Sequence, residues 1–350
     1  MATSTLNPII QGDLKAILAQ PLPWETLAGQ TVLITGAAGF LPGYLVETIM
    51  RRNDEFGGEP ATVVALARSA EALDERFGHH AGRSDLRHLV QDATDPVPSE
   101  LHVDVVIHAA SQASPVHYLH DPVGTLRVNV TGTEHLLRHA AACGASRFLF
   151  LSSGEVYGQV PAEHQPLRED YVGSVEPTDP RSCYAEGKRA GEAFCSAYRA
   201  QLGVPAVITR IFHTYGPGLK PDNGRVFADF ITSVAAGRDI VMTSDGSALR
   251  AYCYVADTVA GLFTAMFHGE PGTAYNVGNE EAEVSVAGLA EMLAGAYPEI
   301  GLRREAPPPG YVASAVSRSC PDTSRLRGLG WHPAWGLLDG FQRAIEGSRA

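Results

Sequence analysis

The stretch Thr31-Val-Leu-Ile-Thr35-Gly36-Ala-Ala-Gly39-Phe-Leu-Pro-Gly43 decides the fold. Its first five residues are apolar or β-branched, which is typical of a short strand buried on both faces. Glycines follow at once, and a helical pattern opens at Tyr44 and runs through Ile49. A strand, a glycine turn and a helix in this order predict the first unit of a parallel α/β sheet.

The same alternation continues along the chain. Helical patterns at Asn129–Ala142 and Tyr184–Gln201 lie between further strand-like runs, which are Thr62–Leu66, Val103–His108, Arg147–Leu151 and Ala206–Ile211. Strands that alternate with helices in this way form a parallel sheet covered on both faces. We therefore expect an α/β fold with a Rossmann-type doubly wound parallel sheet.

Three segments are expected. Residues 1–30 form an N-terminal helical extension, because the apolar residues from Asn7 to Leu18 have helical spacing and Pro21 and Pro23 end the pattern. Residues 31–211 form the large domain. After Ile211 the alternation fades, so residues 212–350 are expected to form mainly a smaller α+β substrate-binding lobe. About 250–267 returns to the large domain, and a proline-rich loop, Pro307–Gly310, precedes a helical tail.

Composition excludes several classes of protein. Of the 350 residues, 45% are hydrophobic and 19% are charged, as in an ordinary globular protein. The formal net charge of -12, without a Lys/Arg-rich run, argues against binding to nucleic acid. The five cysteines form no C-x-x-C pair, and the sequence has neither a leader nor a membrane-length apolar run. We expect a cytoplasmic, soluble protein with reduced thiols.

The glycine turn is a candidate dinucleotide site. Gly36 and Gly39 would let the backbone come close to a pyrophosphate, and the free amides at the start of the following helix would supply donors and partial positive charge. Phe40 and Leu41, which follow Gly39, are further candidate cofactor contacts. The position between a buried strand and a helix strengthens this interpretation over that of a plain tight turn.

The end of the second strand leaves the form of the dinucleotide open. An acid that binds the adenosine ribose is usual there, but this chain has Arg68. Arg68 could pair with the 2′-phosphate of NADP, lie against the adenine, or be an exposed loop arginine. Asp92, after the third strand, is a candidate adenine contact.

Tyr184 and Lys188 are candidate catalytic residues because a spacing of four places them on one face of a helix. A phenol is a weak base at neutral pH and needs a nearby cation, which Lys188 could supply. Ser152 and Ser153 follow the fourth strand, where a hydroxyl can share a substrate proton.

With these residues in this order, the chain resembles the extended short-chain dehydrogenase/reductases of the nucleotide-sugar epimerase/dehydratase family, and is most similar to the UDP-glucuronate decarboxylases. The resemblance covers about residue 31 to Pro321-Asp322. It is carried by Ile107-His-Ala-Ala-Ser-Gln-Ala-Ser-Pro-Val-His-Tyr118, Ser152-Ser-Gly-Glu-Val-Tyr-Gly158, Arg181-Ser-Cys-Tyr-Ala-Glu-Gly-Lys188, Arg210-Ile-Phe-His-Thr-Tyr-Gly-Pro217, Asn223-Gly-Arg-Val226 and Arg250-Ala-Tyr-Cys-Tyr-Val-Ala-Asp257.

The resemblance implies a role for each site residue. Tyr184 would take the proton of the sugar C4 hydroxyl, Lys188 would hold the nicotinamide ribose, and Ser153 would face the sugar. Further cofactor contacts would be Ala109, Ala110, Asn129 and Ser152, and further substrate contacts Ser114, His117, Glu155, His213, Arg225, Val226 and Arg250. Arg225 and Arg250 would bind the diphosphate of the substrate, a nucleotide diphosphate sugar, and so provide cations in an acidic protein. The expected cofactor is NAD, with NADP possible, and we expect no metal.

The resemblance also implies a homodimer that pairs the helices containing Asn129–Ala142 and Tyr184–Gln201. Three positions depart from the family pattern. Pro42 stands at the third glycine position, His213 replaces an asparagine near the diphosphate, and Arg318 lies one residue from the arginine that the decarboxylases have before Pro-Asp.

Glu155 bears on the reaction that follows C4 oxidation. A carboxylate beside a 4-keto sugar can act as a base, or it can simply be a strand-end acid bound to a backbone amide. Gly154 stands where the dehydratases have an acid and the decarboxylases have a serine. Arg318 lies one residue from the position of the decarboxylase arginine. The sequence therefore favours a 4-epimerase. The alternatives are a decarboxylase, a 4,6-dehydratase, an NADP-dependent reductase and a non-enzymatic nucleotide sensor.

Overall fold

The computed structural model describes residues 6–221, 224–306 and 316–349. Seven parallel strands form the main sheet, in the order β11-β6-β5-β4-β1-β2-β3. They are β1 Thr31–Thr35, β2 Thr62–Ala67, β3 Leu86–Val90, β4 Val105–His108, β5 Arg147–Ser153, β6 Ala206–Ile211 and β11 Ala274–Val277. The chain thus has the expected Rossmann-type α/β fold.

Helices cover both faces of this sheet because alternate residues of a strand point to opposite sides. In β1, Val32 and Ile34 pack in one apolar cluster, while Leu33 packs in the other. The helices are α1 Pro8–Leu18, α2 Phe40–Glu55, α3 Ala70–Phe77, α4 Pro115–His120, α5 Pro122–Arg127, α6 Thr133–Cys143, α7 Cys183–Leu202, α8 Val226–Ala235, α9 Val255–His268, α10 Val286–Ala296, α11 Ser324–Arg327 and α12 Leu337–Arg349.

The strands expected from sequence are confirmed, and two helices differ from expectation. Helix α2 begins at Phe40, four residues before the expected start, because Pro42 sits in its first turn, where the amide that proline lacks is not needed. The segment expected to be one helix from Asn129 starts with a π-helical turn, Val128–Gly132, before α6.

Short strands build the rest of the structure. They are β7 Thr214–Tyr215 with β10 Cys253–Tyr254, β12 Glu283–Ser285 and β14 Arg318–Ser319 on either side of β9 Leu249–Ala251, and β8 Ile240–Met242 with β13 Leu302–Arg304. Strand β11 joins the main sheet beside β6, which the sequence analysis did not foresee. We propose that the large domain comprises 31–211 together with α9 and β11. Pro307–Gly310 and Asn223 lie outside the described residues.

Helix α1 is tied to the body by the buried Asp13. Its carboxylate accepts hydrogen bonds from the hydroxyls of Tyr44 and Tyr254 and from Nη2 of Arg343, which lie on α2, at the start of α9 and on α12. A buried carboxylate needs such partners. The N-terminal helix therefore packs on both the first sheet helix and the C-terminal helix.

All five cysteines are free thiols. In the parts of the chain that the structure describes, no helix combines the length and the apolar character needed to cross a membrane.

Candidate active site

The glycine turn connects β1 to α2 and requires its glycines. Gly36 has φ of 68°, and a Cβ there would lie 2.9 Å from Cα of Ala110. A Cβ on Gly39 would lie 3.0 Å from the carbonyl oxygen of Gly36. Gly39 is the N-cap of α2 and no side chain caps this end, so the first amides at Phe40 and Leu41 are available to a ligand.

Two residues that follow the neighbouring strands β2 and β3 carry opposite charges. Arg68 is exposed at the end of β2, and Asp92 follows β3. Burial works against ionisation of Asp92, but hydrogen bonds from Thr94 and the charges of Arg68 and Arg127 lower the pKa of this carboxyl. Arg68 and Asp92 therefore lie close enough to interact.

Tyr184 and Lys188 lie together at the start of α7, as their spacing predicts. Both are buried, at 5% and 2% exposure. The Lys188 ammonium donates a hydrogen bond of 2.6 Å to the Leu151 carbonyl and lies 5.8 Å from the Tyr184 ring centre. Burial lowers the pKa of Lys188 to about 7, with Glu192 opposing. The lysine is thus only partly charged near neutral pH.

Ser153 and Glu155 face Tyr184 from the turn after β5. Burial and the charge of Glu155 raise the pKa of Tyr184 to about 12, against a hydrogen bond with the Ser153 hydroxyl and the charge of Arg225. The Ser153 hydroxyl also accepts a 3.2 Å hydrogen bond from the Glu155 amide. The four predicted catalytic residues therefore form one cluster.

Glu155 is exposed as a residue, although protein atoms surround its carboxyl. This desolvation raises the pKa of Glu155, while the charges of Arg225 and Arg181 lower it. A carboxyl beside Tyr184 is a candidate proton donor or acceptor.

Arg225, Arg250 and His213 lie close enough together to interact. Burial and the charges of Arg250 and Arg225 lower the pKa of His213 to about 3, so this imidazole is neutral. Its Nε2 atom is buried and has no hydrogen-bond partner among the residues that the structure describes. Arg225 donates to the Ala113 carbonyl at 2.7 Å and Arg250 to the Val316 carbonyl at 2.7 Å. Two arginines and this ring nitrogen form a group of donors suited to an anion, and we refer to it as the anion site.

Several other predicted residues are placed by backbone or packing contacts. The amides of Ala109 and Ala110 donate to the Thr35 hydroxyl, and the Ser152 hydroxyl donates to Glu192 at 2.6 Å, so other atoms of these residues would have to meet a cofactor. Asn129 is fully buried, and its Oδ1 finds no hydrogen-bond partner within 6–221, 224–306 and 316–349.

The remaining predicted substrate contacts lie at or near the starts of helices α4 and α8. Ser114 is the N-cap of α4, and His117 is exposed on that helix. Val226 is the first residue of α8, directly after Arg225.

Sequence reasoning missed two residues of the cluster. The Tyr118 ring stacks on the Tyr184 ring with centroids 5.5 Å apart and an interplanar angle of 9°. Arg181 acts on Glu155 from the turn before α7. Both residues lie inside the sequence motifs that carry the family resemblance. Their closeness in sequence to His117 and Tyr184 could have indicated that they belong to the site.

The turn and the cluster fit a bound nicotinamide dinucleotide. The close approach at Gly36 leaves no room for a side chain. The N-terminus of α2 has no side-chain cap and offers amide donors to a pyrophosphate. Asn129 and Lys188 offer buried polar atoms to the rest of the dinucleotide. Residues 32–278 match the model of the "NAD dependent epimerase/dehydratase family".

Comparisons with characterised proteins agree with this. The chain is 35% identical over 318 residues to UDP-glucuronic acid decarboxylase 1 of Xenopus tropicalis, which covers 90% of this chain and 71% of that protein. It is 36% identical over 323 residues to UDP-glucuronic acid decarboxylase 6 of Arabidopsis thaliana, with 91% and 88% covered.

A solved structure resembles the whole architecture. UDP-glucose 4-epimerase of Thermus thermophilus, in complex with NAD, superposes with a TM-score of 0.73 at 28% identity, covering 91% of this chain and 99% of that chain. Sequence match, sheet topology and site geometry point the same way: the chain is an enzyme of the NAD dependent epimerase/dehydratase family.

Proposed function

We propose that the protein oxidises C4 of a nucleotide diphosphate sugar transiently and returns the hydride before product release. The observation that carries this proposal is the cluster of Tyr184, Ser153 and Glu155, which lies at the same edge of the parallel sheet as the glycine turn. Tyr184 would take the C4 hydroxyl proton, with Ser153 sharing it. A bound nicotinamide would supply the hydride acceptor and donor.

The anion site orients the sugar for this step. Arg225 and Arg250 would hold the diphosphate, and the neutral His213 would donate from Nε2. Binding energy at the diphosphate would fix the sugar C4 against Tyr184.

For the fate of the 4-keto sugar we propose decarboxylation of a hexuronate. The sequence alone favoured epimerisation because of Gly154 and Arg318. The curated relatives that are 35–36% identical over about 90% of the chain are decarboxylases, which changes this preference. A C4 ketone makes the C6 carboxylate a β-keto acid. The C5–C6 bond can then break, CO₂ leaves, and its electron pair forms a C4–C5 enolate that is protonated at C5.

Glu155 is the residue we assign to that final protonation. Its pKa is raised by desolvation, so the carboxyl can carry a proton close to the site where Tyr184 acts. Gly154 stands where the decarboxylases have a serine. A Cβ at this position would lie 2.9 Å from the Phe212 ring, so a serine could be accommodated only if this ring moved.

A 4-epimerase is the second candidate, and one observation favours it. Arg318 is the arginine nearest the position where the decarboxylases have one. Its guanidinium donates to Glu283, and among the described residues we find no contact that directs it to the candidate active site.

One experiment separates the two candidates. The protein is incubated with catalytic NAD and either UDP-glucuronate or UDP-glucose, and products are analysed by mass spectrometry and NMR. A pentose nucleotide and CO₂ from the glucuronate support decarboxylation. A product of unchanged mass with inverted C4 supports epimerisation, and recovery of unchanged substrates would contradict both.

We propose NAD rather than NADP as the cofactor. The ionised Asp92 lies close enough to Arg68 to feel its charge, and this carboxylate would repel a 2′-phosphate. RMD from Pseudomonas aeruginosa, solved with NADPH, is 25% identical with a TM-score of 0.70, so the alternative has a relative of similar fold. Titration of the protein with each dinucleotide tests this, and tighter binding of NADP would overturn it.

We further propose a cytoplasmic homodimer that pairs α6 and α7. Five free thiols suit a reducing compartment. Val123 and Leu126 on α5, which precedes α6, are 66% and 38% exposed and would be covered by the pairing. Light scattering at micromolar concentration should give twice the chain mass, and a monomer would contradict the pairing.

A further inference from the structure

We propose that Glu47, His79 and His80 form a Zn²⁺ site between helix α2 and the 3-10 turn after helix α3. Glu47 lies on α2 and the two histidines lie in the turn Gly78–His80. This cluster takes no part in the proposed reaction, and no spacing motif in the sequence indicates it.

The ligand atoms already converge. Nε2 of His79 lies 3.1 Å from Oε1 of Glu47, and Nε2 of His80 lies 2.9 Å from Oε2. The two ring centroids are 4.1 Å apart, and one ligand atom from each residue can be chosen so that all lie within 4.8 Å of one another. A tetrahedral zinc with bonds of about 2.0–2.2 Å separates its ligand atoms by about 3.4 Å, so small side-chain movements suffice.

Glu47 is a buried carboxylate that is not fully satisfied by the protein. The residue is 2% exposed, and in the described part of the chain its Oε1 has no hydrogen-bond partner of suitable geometry despite the nearby His79 nitrogen. Burial opposes ionisation, yet hydrogen bonds from His79 and His80 lower the pKa of this carboxyl. A buried carboxylate with an unpartnered oxygen is compensated well by a cation.

The donor set selects the metal. Two imidazoles and one carboxylate are ligands that zinc takes in proteins, with water in the fourth position. Hard cations such as Mg²⁺ prefer all-oxygen sites. The histidine side chains are 16% and 12% exposed, so solvent gives the ion an entry path and a fourth ligand.

The position suggests what the ion does. Helix α2 starts at the glycine turn, and its residue Glu47 would be linked by the metal to the segment that leads into β3. Binding to the folded state alone stabilises it. Zinc should therefore raise the melting temperature without being needed for turnover.

Calorimetric titration of tag-free, chelator-treated protein with Zn²⁺ tests the site directly. We expect one ion per chain, a melting temperature raised by several degrees, and visible absorption typical of a tetrahedral site when Co²⁺ replaces Zn²⁺. His79→Ala, His80→Ala and Glu47→Gln should each weaken Zn²⁺ binding by about 10-fold or more, because losing even an outer-shell partner costs that much.

His102→Ala is the matched control. His102 also faces a carboxylate, Asp104 at 3.4 Å, but among the described residues it belongs to no group of three possible metal ligands, and its side chain is 67% exposed. This variant should bind Zn²⁺ like the unaltered protein. If Glu47→Gln misfolds, the two accessible histidine variants carry the test. No heat of binding, or an unchanged isotherm in the His79→Ala/His80→Ala variant, would overturn the site and leave two histidines that simply hydrogen-bond a carboxylate.

Discussion

Arg318 donates two parallel hydrogen bonds to Glu283, from Nε to Oε1 at 2.6 Å and from Nη2 to Oε2 at 2.8 Å. The pairing arises because β14 and β12 flank the same strand, β9, so two long side chains 35 positions apart in the sequence meet across that strand. A bidentate pair of this kind satisfies most of the guanidinium. Recognition of a substrate carboxylate therefore does not need to rest on Arg318.

Arg318→Ala should change KM for the nucleotide sugar by less than about threefold, under about 0.7 kcal/mol. Its main effect should be a loss of stability of about 1 kcal/mol or less, because the pair is partly exposed. Steady-state kinetics and denaturant unfolding measure the two effects. A KM raised tenfold or more for a hexuronate, with KM for a neutral hexose unchanged, would return Arg318 to the site.

Arg250→Ala should behave in the opposite way. The lost charge-assisted contacts to a diphosphate are worth about 1.5–3 kcal/mol each, so KM should rise by roughly 10- to 100-fold while the Kd for NAD stays nearly constant. Because Arg250 is buried and holds the Val316 carbonyl, Arg250→Lys serves as the milder variant. An unchanged KM in folded Arg250→Ala protein would place this arginine outside the site.

Tyr184→Phe should lower kcat by about 10²- to 10⁴-fold, the usual contribution of a general base. It removes one oxygen and keeps the ring that stacks on Tyr118, so NAD binding and folding should persist. Tyr118→Phe is the control, and it should stay within a few fold of the unaltered enzyme. Activity of Tyr184→Phe close to that of the control would rule out Tyr184 as the base.

Lys188 should give the stability a distinct pH dependence. Its pKa falls from 10.5 to about 7 on folding, so between these values the unfolded chain binds more protons and stability rises with pH, by at most about 1.4 kcal/mol per pH unit. The stability that depends on neutral Lys188 is fully present above pH 10.5 and is lost as the pH falls to about 7. Lys188→Met removes this dependence. Its gain in melting temperature should therefore be largest near pH 7 and shrink toward pH 9.5. Parallel profiles for the two proteins would contradict the lowered pKa.

Much of the cofactor side of the site could be predicted from local sequence. The strand, glycine turn and helix are contiguous, and Tyr184 and Lys188 share a helix face, so no long-range contact has to be known. The Phe40 start of α2 was missed because Pro42 and Gly43 resemble a loop although proline suits a first helical turn.

The features that were missed depend on distant contacts. Strand β11 has four residues and joins the sheet only after α9 has crossed it, so nothing local marks it as a seventh parallel strand. The Ser152 hydroxyl bonds Glu192, 40 residues later. Glu47 on α2 contacts His79 in the turn after α3, although the two residues are 32 positions apart in the sequence. Such partners are set by tertiary packing, which the spacing of residues does not report.

The most direct test of transient oxidation is the number of product molecules formed per NAD over many turnovers. If Tyr184 and the bound dinucleotide remove a proton and a hydride from C4 and return them, substoichiometric NAD should support full conversion. Absorbance of reduced nicotinamide should not accumulate, and deuterium placed at C4 should reappear at C4 of the product. Stoichiometric consumption of the dinucleotide, or steady release of its reduced form, would contradict transient oxidation and identify a dehydrogenase or reductase instead.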